Sequence, residues 1–263
     1  MNEQMIKLSD CDGQFYPASS EDISSLLKEL LDKTSSNEIL PKALIAPHAG
    51  YIYSGEIAAN AYKTLLNHKD KIENIILLSP AHRYPLSQVA FHSAQHFQTP
   101  LGKIEVNHKL IKSIEHFNFV NNINDAFNFE HALEVHLPFI QYLFKSVKIV
   151  PLIVGACSED NIAEMIETLW NPPQNIIIVS SDLSHFHSYE KAQRIDQQTR
   201  QKIEHLNFSA LNPDDACGYY PLKGLIKIAL KKELKVTALD LRNSGDTAGD
   251  KNRVVGYGSF AFS

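Results

Sequence analysis

Seven apolar runs of strand length, separated by longer segments of helical period, fix most of what this chain can fold into. The runs are KALIA (42–46), NIILLS (74–79), QVAF (88–91), KIVPLIV (148–154), NIIIVSS (175–181), KVTALDL (235–241) and VVGYGSFAF (254–262). Several are apolar on both faces, and such strands belong in a sheet covered on each side. The segments between them predict helices over 19–33, 55–67, 129–144, 158–170, 188–206 and 219–232. The first opens with Ser and acids, and the last carries Pro near its start and lysines at its end. Pro138 predicts a kink or break in the third. Strand and helix alternation of this kind predicts an α/β sandwich around a central mixed sheet.

The chain has 263 residues, near the upper size for one hydrophobic core. No Gly-, Pro- or Ser-rich linker divides it, so a single domain over 1–263 is expected. A net charge of −5 without a basic stripe argues against nucleic acid as a partner. The apolar runs are far short of a membrane span. The opening stretch MNEQMIKLSDCDGQFYP lacks the apolar core of a secretory signal. Cys11, Cys157 and Cys217 are odd in number and form no C-x-x-C, so no disulfide framework is expected. A reduced, cytoplasmic protein is the expectation.

Polar motifs recur where the expected strands end. KALIAPH ends in His48, NIILLSPAH in His82, and NIIIVSSDLSHFH in Asp182, His185 and His187. Ligands of open α/β sheets bind beyond the carboxyl ends of strands, so three such endings can converge on one site. Two histidines with one anionic ligand and open positions suit iron chemistry. Cys217, in DDACGYYPL, precedes an expected helix whose dipole favours a thiolate, and is one candidate for the third ligand; Asp182 and Glu134 are the others. Taken singly, each has an ordinary structural reading: a histidine after a strand as a turn residue, a lone cysteine as a small buried apolar group.

EHALEVH (130–136) matches neither zinc-protease helix motif, because Val135 stands where a second ligand at i+4 from His131 is needed. Glu130 and Glu134 share a helix face there, and either can orient a histidine. GYIYSG lacks the Lys-Ser/Thr of a phosphate loop. RNSGDTAGDK (242–251) reads as a turn between strands or as a rim over the site, with Ser244 and Asp246 as polar contacts.

Eight stretches in order, FYPA, APHAGYIYSG, LLSPAHR, TPLG, EHALEVHLPFIQ, SSDLSHFH, ACGYYPL and NSGDTAGDKNRVVGYGSFAF, resemble the Memo family, in prokaryotes called AmmeMemoRadiSam system protein B. The resemblance runs from about Gly13 to the C-terminus. It implies a fold similar to class III extradiol dioxygenases, whose iron is held by two His and one Glu, with Cys at the Glu position in Memo proteins. On that pattern His48, His82 and Cys217 are the metal ligands, Fe(II) is the expected cofactor with Cu or Zn as alternatives, and His185 is the acid/base beside the metal with Asp182 near it. Radical SAM and AMMECR-type proteins are the partners the family name implies. This chain reads CGYYP where animal members carry Cys-Gly-Arg-His-Pro; Tyr219 and Tyr220 replace the basic pair of relatives reported to bind phosphotyrosine peptides. Three functions follow as expectations: a metal-dependent oxidoreductase, a module that only binds a small molecule or peptide on an inherited enzyme fold, or an accessory partner of a radical SAM system.

Overall fold

The computed structural model describes residues 5–34 and 39–263. Residues 1–4, which begin the stretch read for a secretory signal, and 35–38 lie outside the described part of the expected 1–263 domain. In chain order the strands are β1 (Ile6–Lys7), β2 (Ala43–Ala46), β3 (Asn74–Pro80), β4 (Val89–Phe91), β5 (His96–Thr99), β6 (Gly102–Glu105), β7 (Val120–Asn122), β8 (Lys148–Val154), β9 (Asn175–Ser180), β10 (His185–His187), β11 (Val236–Asn243) and β12 (Val254–Phe262). The helices are α1 (Ser20–Asp32), α2 (Tyr51–Lys63), α3 (His108–Ile114), α4 (His131–Glu134), α5 (Leu137–Leu143), α6 (Glu159–Trp170), α7 (Tyr189–Glu204) and α8 (Tyr219–Lys231).

The centre of the main sheet runs β2-β9-β3-β8, all parallel. Every residue of β2, β3 and β9 is buried, as expected of strands covered on both faces. Antiparallel strands flank this core: β12 on β2 and β4 on β8. β12 is long enough to pair with β11 along one edge and with both β2 and β10 along the other. A small second sheet, β1-β5-β6, lies apart. Helix α2 packs on β2, β11 and β12 and carries α1; α4 packs on β3. Helices α6 and α8 pack together, on β9 and on β3 and β9 respectively, and α7 lies on β11 and β12. The chain is thus an α/β sandwich with a mixed central sheet, as the sequence predicts. Among the described residues, no helix is long and apolar enough to cross a membrane.

One helix start differs from expectation, and one expected break is found. Helix α2 starts at Tyr51, before Gly55. Gly55 is inside the helix because a Cβ there would meet Leu30 Cδ1 of α1 at 2.9 Å, so it marks a close helix contact and not a helix start. The segment 129–144 breaks between α4 and α5 at Val135–His136, and Pro138 sits in the first turn of α5, where a missing N–H costs nothing.

Asp196 on α7 is buried, and its Oδ1 accepts from the Ser184 amide at 3.0 Å, which fixes the segment leading into β10. Gly256 of β12 has no room for a Cβ, which would lie 2.0 Å from Asp196 Oδ2. Burial pushes the Asp196 carboxyl up from 3.8 to about 6. Between those values the folded chain holds the proton longer than the unfolded chain, so this group lowers stability as pH rises. Urea unfolding is expected to show that loss between about pH 4 and 6, on the order of 1.4 kcal/mol per pKa unit. Asp196→Asn is expected to flatten it; an unchanged slope contradicts the assignment.

Candidate metal centre

The parallel order β2-β9-β3 brings three carboxyl ends side by side. His48 follows β2 by two residues, His82 follows β3 by two, and Ser180 closes β9 with Asp182 just beyond it. His131 opens α4, which packs on β3. The three imidazoles are neighbours: ring centroids lie 5.2 Å apart for His48–His82, 5.5 Å for His48–His131 and 5.0 Å for His82–His131. One ligating atom from each falls within 4.8 Å of the other two. Donors around an ion at about 2.0–2.1 Å sit roughly 3.4 Å apart in a tetrahedron, which lies inside the 4.8 Å bound of this group.

Hydrogen bonds set which nitrogen each ring offers. Ser180 Oγ donates its one proton to the Ala132 carbonyl at 2.6 Å and lies 2.6 Å from His48 Nδ1. Its remaining capacity is as an acceptor, so His48 Nδ1 carries the proton and Nε2 keeps the lone pair. Glu130 Oε1 accepts from His82 Nδ1 at 3.0 Å, with the same consequence for His82 Nε2. The Glu130 carboxylate also accepts from the amides of His82, Arg83 and Ala132. Burial works against its charge, but the bonds from His82 and Ala132 bring its pKa below the ordinary value. Burial lowers His48 well below its usual range, His131 to about 4, and His185 also downward. Neutral imidazoles at neutral pH are the form that binds metal. Among the described residues, His131 Nδ1 is buried without a hydrogen-bond partner.

Cys217 is half-buried, with Sγ 3.3 Å from His48 Nε2. The Asp182 amide donates to its sulfur at 3.2 Å, and its own amide donates to the Asp182 carbonyl. Burial and the Asp182 charge push its thiol up, so the helix start beyond it does not by itself yield the thiolate that the sequence suggests. Gly218 lets this loop close on β9: a Cβ there would meet the Ser180 carbonyl oxygen at 2.7 Å and Ser181 Cβ at 2.6 Å. Asp182 Oδ1 accepts from the His48 amide at 2.8 Å, and Oδ2 lies 3.9 Å from His48 Nε2. Burial pushes the Asp182 carboxyl up to about 7. The carboxyl therefore clamps the His48 loop as well as facing the site. His185 opens β10 three residues beyond Asp182 and is half-buried.

Glu134 does not take the histidine-orienting place proposed for it; Glu130 does. Glu134 accepts from the amides of Asp10 and Cys11, each at 2.8 Å, and from Tyr16 Oη at 2.7 Å. It ties down the N-terminal segment, and Phe15 of that segment stacks on His131 at 4.5 Å. Ser244 Oγ accepts from the Val255 amide, and Asp246 accepts from the Asn243 amide and Tyr189 Oη. These bonds close the β11–β12 turn. Beyond the turn, Gly256 of β12 exchanges backbone hydrogen bonds with Leu183 and Ser184, the residues that follow Asp182.

His131 and Ser180 are the site residues that sequence spacing missed. Their partners come from other strands, so no local motif marks them. Two exposed phenylalanines were missed as well. Phe129 and Phe186 have φ of 56° and 62° and flank Glu130–His131 and His185. The left-handed region is costly for such residues and is found where a site over-determines the backbone. At Phe186 the β10–β12 register slips, which turns this side chain outward.

The family model described as Memo-like protein matches residues 9–261. A MEMO1 family protein of Aquifex aeolicus is 32% identical, covering 93% of this chain and 94% of the relative. One of Metallosphaera sedula is 35% identical over 83% and 82%, and one of Methanosarcina mazei is 32% identical over 93% and 94%.

Glu130→Gln leaves His82 with a weaker acceptor, and loss of such outer support typically costs 10–100-fold in metal affinity. A competition titration with Zn²⁺ is expected to show a loss in that range, and a much smaller one for Glu134→Gln. Equal effects of the two contradict the division of labour described here.

Proposed function

The chain belongs to the Memo-like protein family, and we propose that it is a metal-dependent oxidoreductase whose iron or copper ion is held at His48 and His82. The observation that supports this most is the pair of Nδ1–H bonds, from His48 to Ser180 and from His82 to Glu130, which turn both Nε2 atoms into one space. A third donor stands ready on either side, His131 or Cys217. Imidazole and thiolate suit Fe, Cu and Zn alike, so the donor types fit the expected ions. A bound redox-active ion supplies electron transfer that these side chains do not.

The remaining roles fall to the chain itself. His185 is half-buried and neutral, and is the base that takes a proton from a substrate at the site. Asp182 holds the His48 loop through its amide and provides a second titratable group nearby. Phe129 and Phe186 are exposed beside Glu130–His131 and His185, and as apolar contacts they favour an organic substrate with an apolar part. The resemblance to extradiol dioxygenases extends to dioxygen as co-substrate, but a cysteine beside His48 sets this site apart from their carboxylate.

Metal analysis of protein purified without oxygen tests the reading. Wild type is expected to carry near-stoichiometric iron or copper, and His48→Ala and His82→Ala to lose it together with oxygen consumption. Wild type that stays metal-free and resists loading overturns the reading. Ligand or peptide binding that survives chelation supports the binding-module alternative instead.

A further inference from the structure

Asp196 of α7 takes no part in the centre described above, yet its carboxylate is only 2% exposed. The one hydrogen bond it accepts among the described residues comes from the Ser184 amide to Oδ1. Lys202, further along α7, is held by Asp215, and Arg242 by Asp240 and Glu56. Asp196 is therefore left without a counter-charge. A buried carboxylate in that position is costly, and such groups are found paired or holding an ion. Asp196 lines a cavity of about 170 Å³ between α7 and the β11–β12 turn. Gln193 and Gln197 line it from the same face of α7, at helical spacings of three and four. Asn243 and Asp246 line it from the turn.

Each of these five side chains carries oxygen with lone pairs to spare. Asn243 Oδ1 accepts one bond, from the Gly245 amide at 2.9 Å. Asp246 accepts one bond on each oxygen, from Tyr189 Oη and from the Asn243 amide. Among the described residues, no imidazole or thiol lines the cavity. Carboxylate and carboxamide oxygens are hard donors, which suit Ca²⁺ or Mg²⁺ and not the ions that histidine and cysteine select. The donors come from a helix face and a turn, and the cavity has room for several waters at about 30 Å³ each. Ca²⁺ accepts irregular shells of this kind, whereas Mg²⁺ demands a near-ideal octahedron. We propose that this cavity is a Ca²⁺ site, with Asp196 and Asp246 as carboxylate ligands and Gln193, Gln197 and Asn243 as carboxamide ligands. A bound ion joins α7 to the β11–β12 turn, and through the Ser184–Asp196 bond it steadies the residue that precedes His185. The site shares no donor with the histidine centre and does not rest on the oxidoreductase reading.

The test uses the full chain, stripped with a chelator and titrated with Ca²⁺, Mg²⁺ or Na⁺ at constant ionic strength, followed by calorimetry and thermal unfolding. Ca²⁺ is expected to bind one per chain with a Kd of about 10⁻⁴–10⁻³ M and to raise the unfolding temperature. Mg²⁺ is expected to bind at least tenfold more weakly, and Na⁺ to do nothing. Asp196→Asn is expected to weaken Ca²⁺ at least tenfold. Should that variant fail to fold, Gln197→Ala on the exposed helix surface is expected to weaken it severalfold, while Gln198→Ala, outside the cavity, leaves it unchanged. One equivalent of Zn²⁺ is expected to leave Ca²⁺ binding untouched. Competition between Zn²⁺ and Ca²⁺ places calcium at the histidines and overturns the proposal. Absence of saturable Ca²⁺ binding, an equal response to all three ions, or wild-type affinity in Asp196→Asn or Gln197→Ala also overturns it, in each case without bearing on the histidine centre.

Discussion

The Ser180 hydroxyl is the contact on which the site depends. It joins three elements at one atom: β9, which carries it, the His48 loop after β2, and α4 through the Ala132 carbonyl. A carbonyl only accepts, so the hydroxyl proton goes there, and the imidazole of His48 is left as donor. One hydroxyl therefore sets the position of α4 and the tautomer of His48 together. In a fully buried setting that pairing is strict, since an unmatched donor or acceptor has no water to turn to. Glu130 repeats the device for His82, with a carboxylate that also caps the first turn of α4.

Outlying parts of the chain serve the same end. The N-terminal segment is bound to Glu134 and delivers Phe15 onto His131. A stacked column of Phe15, His131 and His82 results, with centroid separations of 4.5 and 5.0 Å. The Cys217 loop is held to Asp182 by backbone bonds and to β9 by the absence of a side chain at Gly218. Asp182 in turn holds the His48 amide. Strand ends, a short helix and two distant loops thus converge on a space a few ångströms across, through bonds that span from 35 to 134 residues in sequence.

The fold was legible where burial was simple. Strands β2, β3, β8 and β9 are continuous apolar runs, and such runs announce a covered sheet. The short strands β1, β5, β6, β7 and β10 were not foreseen, because two- to four-residue pairings depend on partners far away and not on a local pattern. Gly55 misled for a similar reason: a glycine inside a helix looks like a boundary until the neighbouring helix is seen. At the site, His48 and His82 could be picked out by their place after strands. His131 could not, since its neighbours come from β2 and β3, and the i+4 test asked of it the wrong geometry. Which of Glu130 and Glu134 orients a histidine was undetermined by spacing, as both were expected on one helix face and only the fold decides which meets a ring.

The most direct test of this account is the tautomeric state of the histidines in metal-free protein at neutral pH, read from long-range proton–nitrogen correlation spectra of the imidazoles. His48 is expected as a neutral ring protonated at Nδ1 with Nε2 free, the His82 ring is expected to carry a proton at Nδ1, and Ser180→Ala is expected to release His48 from that state. Rings protonated at Nε2 in the wild-type protein contradict the claim that Ser180 and Glu130 orient this centre for metal.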